Sequence, residues 1–286
     1  MFDLTAPINI LLQSSERSML IALAGILGLV IGSFINVVIY RLPKMMEMAW
    51  EQNTSAGGLP KTKFNLATPQ SQCPHCGHKI TPTENIPVLS YLWLKGKCSK
   101  CKKSISIRYP LIELVCGLST ALCFWQFGWS ITAIAAVVFV LALITLTMID
   151  LDTYLLPDSI TLPLLWLGLL FNLNQTFVDI HSAVIGATLG YLILWSVYWV
   201  FKLATKKEGM GYGDFKMLAA IGAWLGWQAL PAVILIASLT GAMIGIAMIT
   251  FSKNKTSNQI PFGPFIALAA VLMLFLGSQI SVIQLG

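Results

Sequence analysis

The stretch ITAIAAVVFVLALITLTMI, residues 131–149, carries no charged side chain and runs directly into Asp150. A bilayer core requires a helix of about 20 apolar residues, so this run has the length of one membrane crossing. Apolar segments of the same kind lie on both sides of it, and together they predict an all-α polytopic membrane protein with about eight transmembrane helices. The predicted spans are residues 19–40, 110–127, 131–149, 159–174, 181–201, 214–228, 231–250 and 262–282.

The composition of the whole chain agrees with this fold class. Of its 286 residues, 56% are hydrophobic and 10% are charged, with a mean hydropathy of +0.77. An ordinary soluble domain has about 25% charged residues. The composition therefore argues against a soluble enzyme, a disordered chain and a nucleic-acid binder. The net charge of +6 is better interpreted as a signal of membrane orientation.

The basic residues predict which side of the membrane each loop occupies. The first span, residues 19–40, runs straight into Arg41 and Lys44, which puts its C-terminal end in the cytoplasm. It is too long for a cleaved signal peptide and no basic region precedes it. Of the 18 Lys and Arg residues, 17 then fall on the cytoplasmic side and only Arg17 lies outside. Both termini are predicted to lie outside, and the cytoplasmic segments are residues 41–109, 150–158, 202–216 and 251–261.

Residues 41–109 form the one sizeable polar region and are predicted to be a cytoplasmic insertion stapled by zinc. The region is too small for a large hydrophobic core, and modules of this size usually need disulfides or a bound metal ion for stability. It contains two CxxC pairs, a spacing typical of tetrahedral Zn²⁺, and four thiolates would fill the coordination shell of a structural site. The predicted ligands are Cys73, Cys76, Cys98 and Cys101.

Two alternatives to this zinc site stay open. A redox or disulfide role is disfavoured on a reducing cytosolic face. His75 or His78 could replace one cysteine as a ligand. The remaining cysteines, Cys116 and Cys123, lie in an apolar run and are predicted to be inert core thiols.

Acidic residues are rare in this chain, and four aspartates lie at predicted cytoplasmic ends of the spans. Asp150, Asp152 and Asp158 follow the third span, and Asp214 begins the sixth within the motif GYGD, residues 211–214. The predicted topology brings these groups to one membrane face, although they are far apart in sequence.

A pair of facing carboxylates suggests hydrolysis of the aspartic-protease type. Two like charges a few ångström apart share one proton, so the ionised acid takes a proton from water while the protonated acid polarises a carbonyl. Asp214 could be paired with either Asp150 or Asp152. Gly211 and Gly213 would permit tight turns and close approach of a substrate backbone.

The helix dipoles predict how the proton is distributed in the resting site. Asp214 lies at a helix N-terminus, which favours a carboxylate, and Asp150 lies at a helix C-terminus, which disfavours one. Asp214 is therefore expected to be ionised and Asp150 to be protonated.

Other polar residues have ordinary structural interpretations. Asp158 would cap the fourth span and Asp152 would be a solvated loop charge. Glu113, in the first turn of the second span, would be stabilised by the helix dipole or paired with Arg108. The polar residues inside the first span, Ser33 and Asn36, are expected to form interhelical hydrogen bonds.

The motifs in this order resemble those of the type IV prepilin peptidases, also called prepilin leader peptidase/N-methyltransferases. The similarity spans nearly the whole chain, and no motif departs from the family pattern. Besides the two CxxC pairs, the matching stretches are residues 32–43 (GSFINVVIYRLP), 84–87 (ENIP), 108–110 (RYP), 149–158 (IDLDTYLLPD), 211–214 (GYGD) and 261–264 (PFGP).

The resemblance implies a membrane aspartic endopeptidase of the GxGD type, with Asp150 and Asp214 as its catalytic pair. Its implied substrates are prepilins, or pseudopilins of a type II secretion system, cleaved at the cytoplasmic face of the bacterial inner membrane. The implied domains are residues 1–40 with the first helix, the zinc-binding insertion 41–109, and a seven-helix peptidase domain 110–286.

Bifunctional members of that family also N-methylate the new N-terminus with S-adenosylmethionine, and the cysteine-bearing insertion is typical of them. Gly96 matches a family glycine linked to methyl transfer, although a turn between the two cysteine pairs would equally need glycine. The insertion is too short for a Rossmann-type methyltransferase.

Two competing functions remain from other classes. A transporter could use Asp150 and Asp214 in proton or ion coupling, but would prefer such charges near the bilayer midplane. A non-catalytic scaffold of a pilus or secretion apparatus could use the zinc module for interactions. It would not need two acids embedded in motifs at one face.

Overall fold

Nine α-helices form the architecture of the residues that the computed structural model describes, which are 5–54, 64–207, 209–251 and 260–283. No strand longer than an isolated bridge occurs in these ranges. The helices are α1 (Thr5–Thr54), α2 (Leu89–Trp93), α3 (Arg108–Phe127), α4 (Ile131–Thr153), α5 (Asp158–Asn172), α6 (Ile180–Thr205), α7 (Tyr212–Leu225), α8 (Leu230–Phe251) and α9 (Gly263–Ile283).

The predicted all-α membrane class is confirmed, and each predicted apolar segment overlaps one helix. Helix α5 is apolar but has only 15 residues, and α7 has 14. The number of eight spans therefore stays a prediction. Among the described residues, five helices are long and apolar enough to cross a membrane: Glu16–Glu51, Arg108–Phe127, Ile131–Thr153, Ile180–Thr205 and Trp227–Thr250.

Helix α1 continues well beyond the predicted end of the first span at residue 40. It runs through Pro43 to Thr54. Charged residues end an apolar span, but the helical hydrogen bonds need no apolar surroundings and continue into the polar region. Arg41 is buried at this boundary, and its guanidinium donates to the carbonyls of Asn65, Leu66 and Pro69. It thereby holds this segment of the insertion against α1.

The chain forms two compact units, Met1–Val137 and Val138–Gly286, and the boundary falls within α4. In the first unit, α1 packs closely against α3. A Cβ atom at Gly28 would meet Thr120 Oγ1 at 2.5 Å, and one at Gly32 would meet Cys116 Cβ at 2.9 Å. The small residues of α1 therefore permit this close approach. The division at residues 40 and 109 stays a prediction.

In the second unit, α7 is the central helix. Its residues from Asp214 to Trp224 are almost all buried. The side chain of Trp224 donates to Leu164 O of α5 at 2.7 Å, and Asn172 at the end of α5 donates to Ala223 O at 2.8 Å. On the α6 side, Gly222 lies directly against the backbone of Gly186. These contacts hold α7, whose first turn carries Asp214, between α5 and α6.

Candidate active site and metal centre

Asp150 and Asp214 meet within the second unit. Asp150 lies in the last turn of α4 and is 5% exposed; Asp214 lies in the first turn of α7 and is 8% exposed. Their carboxylates are close enough to repel each other electrostatically. Two buried carboxylates that repel each other cannot both be ionised without a cost, and this cost favours the sharing of one proton.

Backbone N–H groups hold both carboxylates. The N–H of Gly263, the first residue of α9, donates to Asp150 Oδ2 at 3.1 Å. The N–H of Gly211 donates to the Asp214 carboxylate. A Cβ atom on Gly263 would lie only 2.5 Å from Asp150 Oδ2, so the contact requires glycine. The sequence pattern singles out the PFGP motif without giving Gly263 a role.

This contact also bears on the predicted order of ionisation. The prediction considers only the helix that carries each aspartate. The structure adds the N-terminus of α9, which faces Asp150 and stabilises negative charge there. Both acids therefore lie at a helix N-terminus, and the assignment of the proton to Asp150 stays a prediction.

The neighbouring aspartates, Asp152 and Asp158, are exposed, unlike this pair. Asp152 is exposed, since two residues along a helix turn the side chain by about 200°. The prediction that Asp158 caps α5 is wrong: the N-cap is Pro157, no side chain caps the helix, and both Asp158 oxygens accept from Lys216 Nζ at 2.7 Å. Helix α5 begins one residue earlier than expected, so Asp158 lies inside it.

The predicted glycines differ in their surroundings. A Cβ atom on Gly213 would lie 2.7 Å from Leu156 Cβ, and one on Gly263 would lie 3.4 Å from Leu156 Cδ2. Leu156 thus packs between α7 and α9 in the segment after Asp150. Gly211 has φ −83°, and a Cβ atom on it would come no closer than 3.9 Å to a neighbouring atom, so neither its conformation nor its space demands glycine.

The four predicted metal ligands converge in the first unit. The sulfur atoms of Cys73, Cys76, Cys98 and Cys101 all lie within 4.8 Å of one another. Cys73 Sγ and Cys101 Sγ are 3.8 Å apart, and Cys76 Sγ and Cys98 Sγ are 4.0 Å apart. A Zn–S bond of about 2.3 Å gives a tetrahedral S···S distance of about 3.8 Å. The cluster therefore could hold a metal ion of this kind.

The two CxxC turns have the same backbone form. Cys73 N donates to His78 O and Cys98 N donates to Lys103 O, each at 2.9 Å. The fourth residue after the first cysteine of each turn has a positive φ, 67° at Gly77 and 60° at Lys102. This repetition aims both thiols of each pair at a common point.

The thiols influence each other's ionisation. Backbone N–H groups of Cys101 and Lys100 lower the pKa of Cys98 to about 6. At Cys76 a backbone hydrogen bond from His78 lowers the pKa, but loss of hydration and the three neighbouring thiols outweigh it and raise the pKa to about 11. A bound cation would stabilise all four thiolates together.

His78 has a partner other than a metal. Its Nε2 lies 3.1 Å from Glu84 Oε2, and the metal-binding group contains the four cysteines without His75 or His78. Hydrogen bonds from the Ser99 side chain, then from Thr81 and His78, lower the pKa of Glu84 to about 2. Glu84 thereby connects the first CxxC turn with Ser99 of the second. The sequence pattern includes its ENIP motif but assigns it no role.

Gly96 lies in the turn before the second cysteine pair. It has φ +67°, and a Cβ atom there would lie 2.9 Å from the Tyr91 hydroxyl. Backbone hydrogen bonds join Gly96 to Tyr91 and Ile105. The backbone conformation and the Tyr91 contact explain the glycine without a cofactor, and a role in methyl transfer stays a prediction.

The interhelical polar residues are buried in the first unit. Asn36 Nδ2 donates to Tyr109 O at 3.1 Å, as expected for a helix contact, and Ser33 hydrogen-bonds to Glu113. The sequence predicts Glu113 in the first turn of its helix, but in the structure it lies in the second turn of α3. Its Oε2 accepts from Val88 N at 2.8 Å. Cys116 and Cys123 are fully buried, as predicted.

Comparison with known proteins gives consistent matches along the chain. The profile of the bacterial peptidase A24 N-terminal domain matches residues 26–127, and that of the type IV leader peptidase family matches residues 137–246. No solved structure matches the chain.

Curated relatives cover almost the full length. A prepilin leader peptidase/N-methyltransferase of Stutzerimonas stutzeri is 50% identical over 280 residues, covering 96% of each chain. Proteins of the same name from Aeromonas hydrophila and Pseudomonas aeruginosa are 52% and 50% identical, and cover 91% and 90% of this chain and 92% and 90% of their own.

Proposed function

The chain belongs to the type IV leader peptidase family, and from this premise we propose the chemistry of its site. It is a multi-pass membrane enzyme that removes the leader from type IV prepilins and type II secretion pseudopilins and then N-methylates the new N-terminal residue. The observation that carries the peptidase assignment is the convergence of two buried acids, Asp150 and Asp214, from distant parts of the chain.

The acid pair would act by water activation. The ionised aspartate removes a proton from water, the oxygen attacks the scissile carbonyl carbon, and the protonated aspartate donates its proton to the carbonyl oxygen. As the tetrahedral diol collapses, one hydroxyl returns its proton to the ionised aspartate, the C–N bond breaks, and the leaving amine takes a proton from the other aspartate. The Gly263 and Gly211 N–H groups orient the carboxylates throughout.

The basic residues support the proposed orientation. With 17 of 18 Lys and Arg on one side, the insertion and the acid pair would face the cytoplasm of a bacterial inner membrane, with both termini outside. A substrate could then keep its hydrophobic helix in lipid while its basic leader stays in water. Acids at the ends of helices fit hydrolysis at the membrane surface better than the proton or ion coupling of a transporter, which prefers charges near the bilayer midplane. A non-catalytic scaffold would not need the two acids.

We propose that the four cysteines hold a structural Zn²⁺ and that S-adenosylmethionine is the methyl donor. The sulfur distances suit zinc, which would stabilise a segment with few buried residues. The methyl donor supplies an electrophilic methyl group for the new α-amine. Its support comes from the name of the relatives, and Gly96 is the residue that the family resemblance links to this step.

A cleavage assay tests the peptidase assignment. The variants Asp150→Asn and Asp214→Asn keep the size of each side chain but remove a titratable group. Each is expected to lose cleavage of a prepilin-like peptide in proteoliposomes by at least about 10³-fold, since neither amide can exchange the proton. Asp152→Asn is the matched control and should cleave normally. Near-normal turnover by either of the first two variants would exclude the pair.

A further inference from the structure

The short helix α2 lies in the cysteine-bearing insertion, residues 41–109, which is called the zinc module below. It has an apolar face that no described residue covers. Leu89, Leu92 and Trp93 are 64%, 65% and 84% exposed. Their spacing of i, i+3 and i+4 places them on one side of the helix. Tyr91 points to the other side, where it contacts Gly96 and Ile105. An exposed apolar surface of this kind marks a site of interaction with a partner or a membrane.

A hydrogen bond fixes the depth of α2 relative to the membrane-spanning helix α3. Val88, which immediately precedes α2, donates its N–H to Glu113 Oε2 at 2.8 Å. The candidate membrane span of α3 begins at Arg108. Glu113 is five residues after it and so lies about 7.5 Å farther along the helix axis, at 1.5 Å per residue. Helices that lie in a membrane interface are buried about 5–10 Å into the headgroup and acyl boundary. The start of α2 therefore lies at interfacial depth.

Neighbouring residues support the same depth. Leu111, Leu114 and Leu118 of α3 are exposed in the protein and face lipid if α3 spans the membrane. Asn36 of α1 donates to Tyr109 O of α3, so α1 and α3 pass through the same level. Trp93 is the residue type that membrane interfaces favour, because its ring is apolar and its N–H is polar.

The charge around α2 suits an anionic surface. Between Glu84 and Glu113 the chain has six basic residues and no acidic one. Five of them follow α2 directly and are exposed: Lys95, Lys97, Lys100, Lys102 and Lys103. Basic residues next to an apolar face are typical of segments that bind anionic lipid headgroups.

We propose that the apolar face of α2, formed by Leu89, Leu92 and Trp93, inserts into the anionic lipid leaflet beside α3 and anchors the zinc module to the membrane surface. The choice of the cytoplasmic leaflet rests on the proposed orientation. Glu113 is then a positioning residue, because its buried carboxylate holds the first turn of α2 at this depth. The anchor would keep the module beside the membrane face at which the substrate leader emerges.

Tryptophan quenching in vesicles tests the depth of this face. The full-length protein is reconstituted in vesicles of phosphatidylethanolamine and phosphatidylglycerol, with acyl chains brominated near the headgroup. The emission lost in Trp93→Phe, relative to the unchanged protein, is the contribution of Trp93. We expect it to be quenched by the brominated lipid and protected from iodide in water.

Trp50 provides the matched control. It is also strongly exposed, 73%, but lies on α1 nine residues beyond Arg41, which is about 14 Å into the polar side. The emission lost in Trp50→Phe should show the opposite pattern. If the Trp93 emission is quenched by iodide as strongly as that of Trp50, and not by brominated lipid, the proposal is overturned. Protection of Trp93 that appears only after substrate is added would equally overturn it, in favour of a protein partner.

Three further variants test the mechanism of the anchor. Leu89→Ser with Leu92→Ser should lose most of the lipid quenching of Trp93. Glu113→Gln keeps an acceptor for Val88 N and should retain it, whereas Glu113→Ala should lose it. Equal quenching in all of these proteins would contradict the role of this face. Leader cleavage is measured on the same vesicles, so active protein with a water-exposed Trp93 refutes the anchor without touching the peptidase assignment.

Discussion

Gly263 has no side chain, yet it controls the position of a catalytic candidate. Its N–H contacts Asp150, and a Cβ atom on it would lie 2.5 Å from the same carboxylate oxygen. The contact distance of a carbon and an oxygen atom is larger than this, so a side chain of any size must displace Asp150. At the scale of single residues, the acid pair depends on a glycine of another helix.

Replacing Gly263 should therefore impair catalysis without removing an acid. Gly263→Ala is expected to lower kcat/KM for leader cleavage by about 10²-fold, as a displacement of about 1 Å can do. Gly277→Ala, on the same helix with its nearest atom 3.7 Å away, is the control and should cleave normally. Unchanged cleavage by Gly263→Ala would mean that the Asp150 contact does not position the carboxylate.

At the scale of elements, the packing of α7 decides where Asp214 lies. The backbones of Gly222 on α7 and Gly186 on α6 are in direct contact, and Gly190 lies against Leu218 O. On the opposite side, Trp224 fills the space above Gly168 of α5. Helix α7 is thus held between two neighbours by glycines that leave no room for a larger residue.

Gly222→Ala should destabilise the protein because its Cβ would overlap the backbone of Gly186. Overpacking of this kind costs about 1–3 kcal/mol in the free energy of unfolding. Thermal unfolding in detergent should show a lowered Tm. Gly245→Ala on α8, whose nearest atom is 3.5 Å away, should leave the Tm almost unchanged. Equal Tm values for the two variants would show that the α6–α7 contact can adjust.

At the scale of the whole molecule, the two kinds of candidate site lie in different units. The contacts of the acid pair described above all come from residues 138–286, and the four cysteines lie in the first unit. The candidate acid pair and the candidate metal centre are therefore held by contacts within separate compact units.

Loss of the metal should therefore separate the two activities. Cys73→Ser with Cys76→Ser is expected to lower the zinc content from about one to none per chain and to abolish methyl transfer from labelled S-adenosylmethionine. Leader cleavage should continue, because the contacts that hold the acid pair among the described residues come from glycines and not from the cysteines. Cys123→Ala, which removes a buried thiol outside the cluster, should retain its zinc. A parallel loss of zinc and cleavage would show that the units are coupled.

The apolar runs and the motifs were enough to predict the membrane class, the approximate positions of the helices, the four candidate metal ligands and the two candidate catalytic acids. Each of these rests on a local signal: an apolar run has the length of a bilayer, and a CxxC turn brings two thiols together whatever surrounds it. The family motifs then distinguished Asp150 from Asp152, which local chemistry had left open.

The contacts between distant segments could be read only from the folded chain. In the structure Asp158 accepts a hydrogen bond from Lys216 instead of capping a helix. Glu113 accepts from Val88 N instead of lying at a helix terminus. Asp150 accepts from the N–H of Gly263 at the start of α9. Helix α1 also continues beyond the predicted end of the first span. Hydrogen-bond partners far apart in the chain are chosen by how helices pack, and that choice depends on many side chains at once rather than on any one stretch.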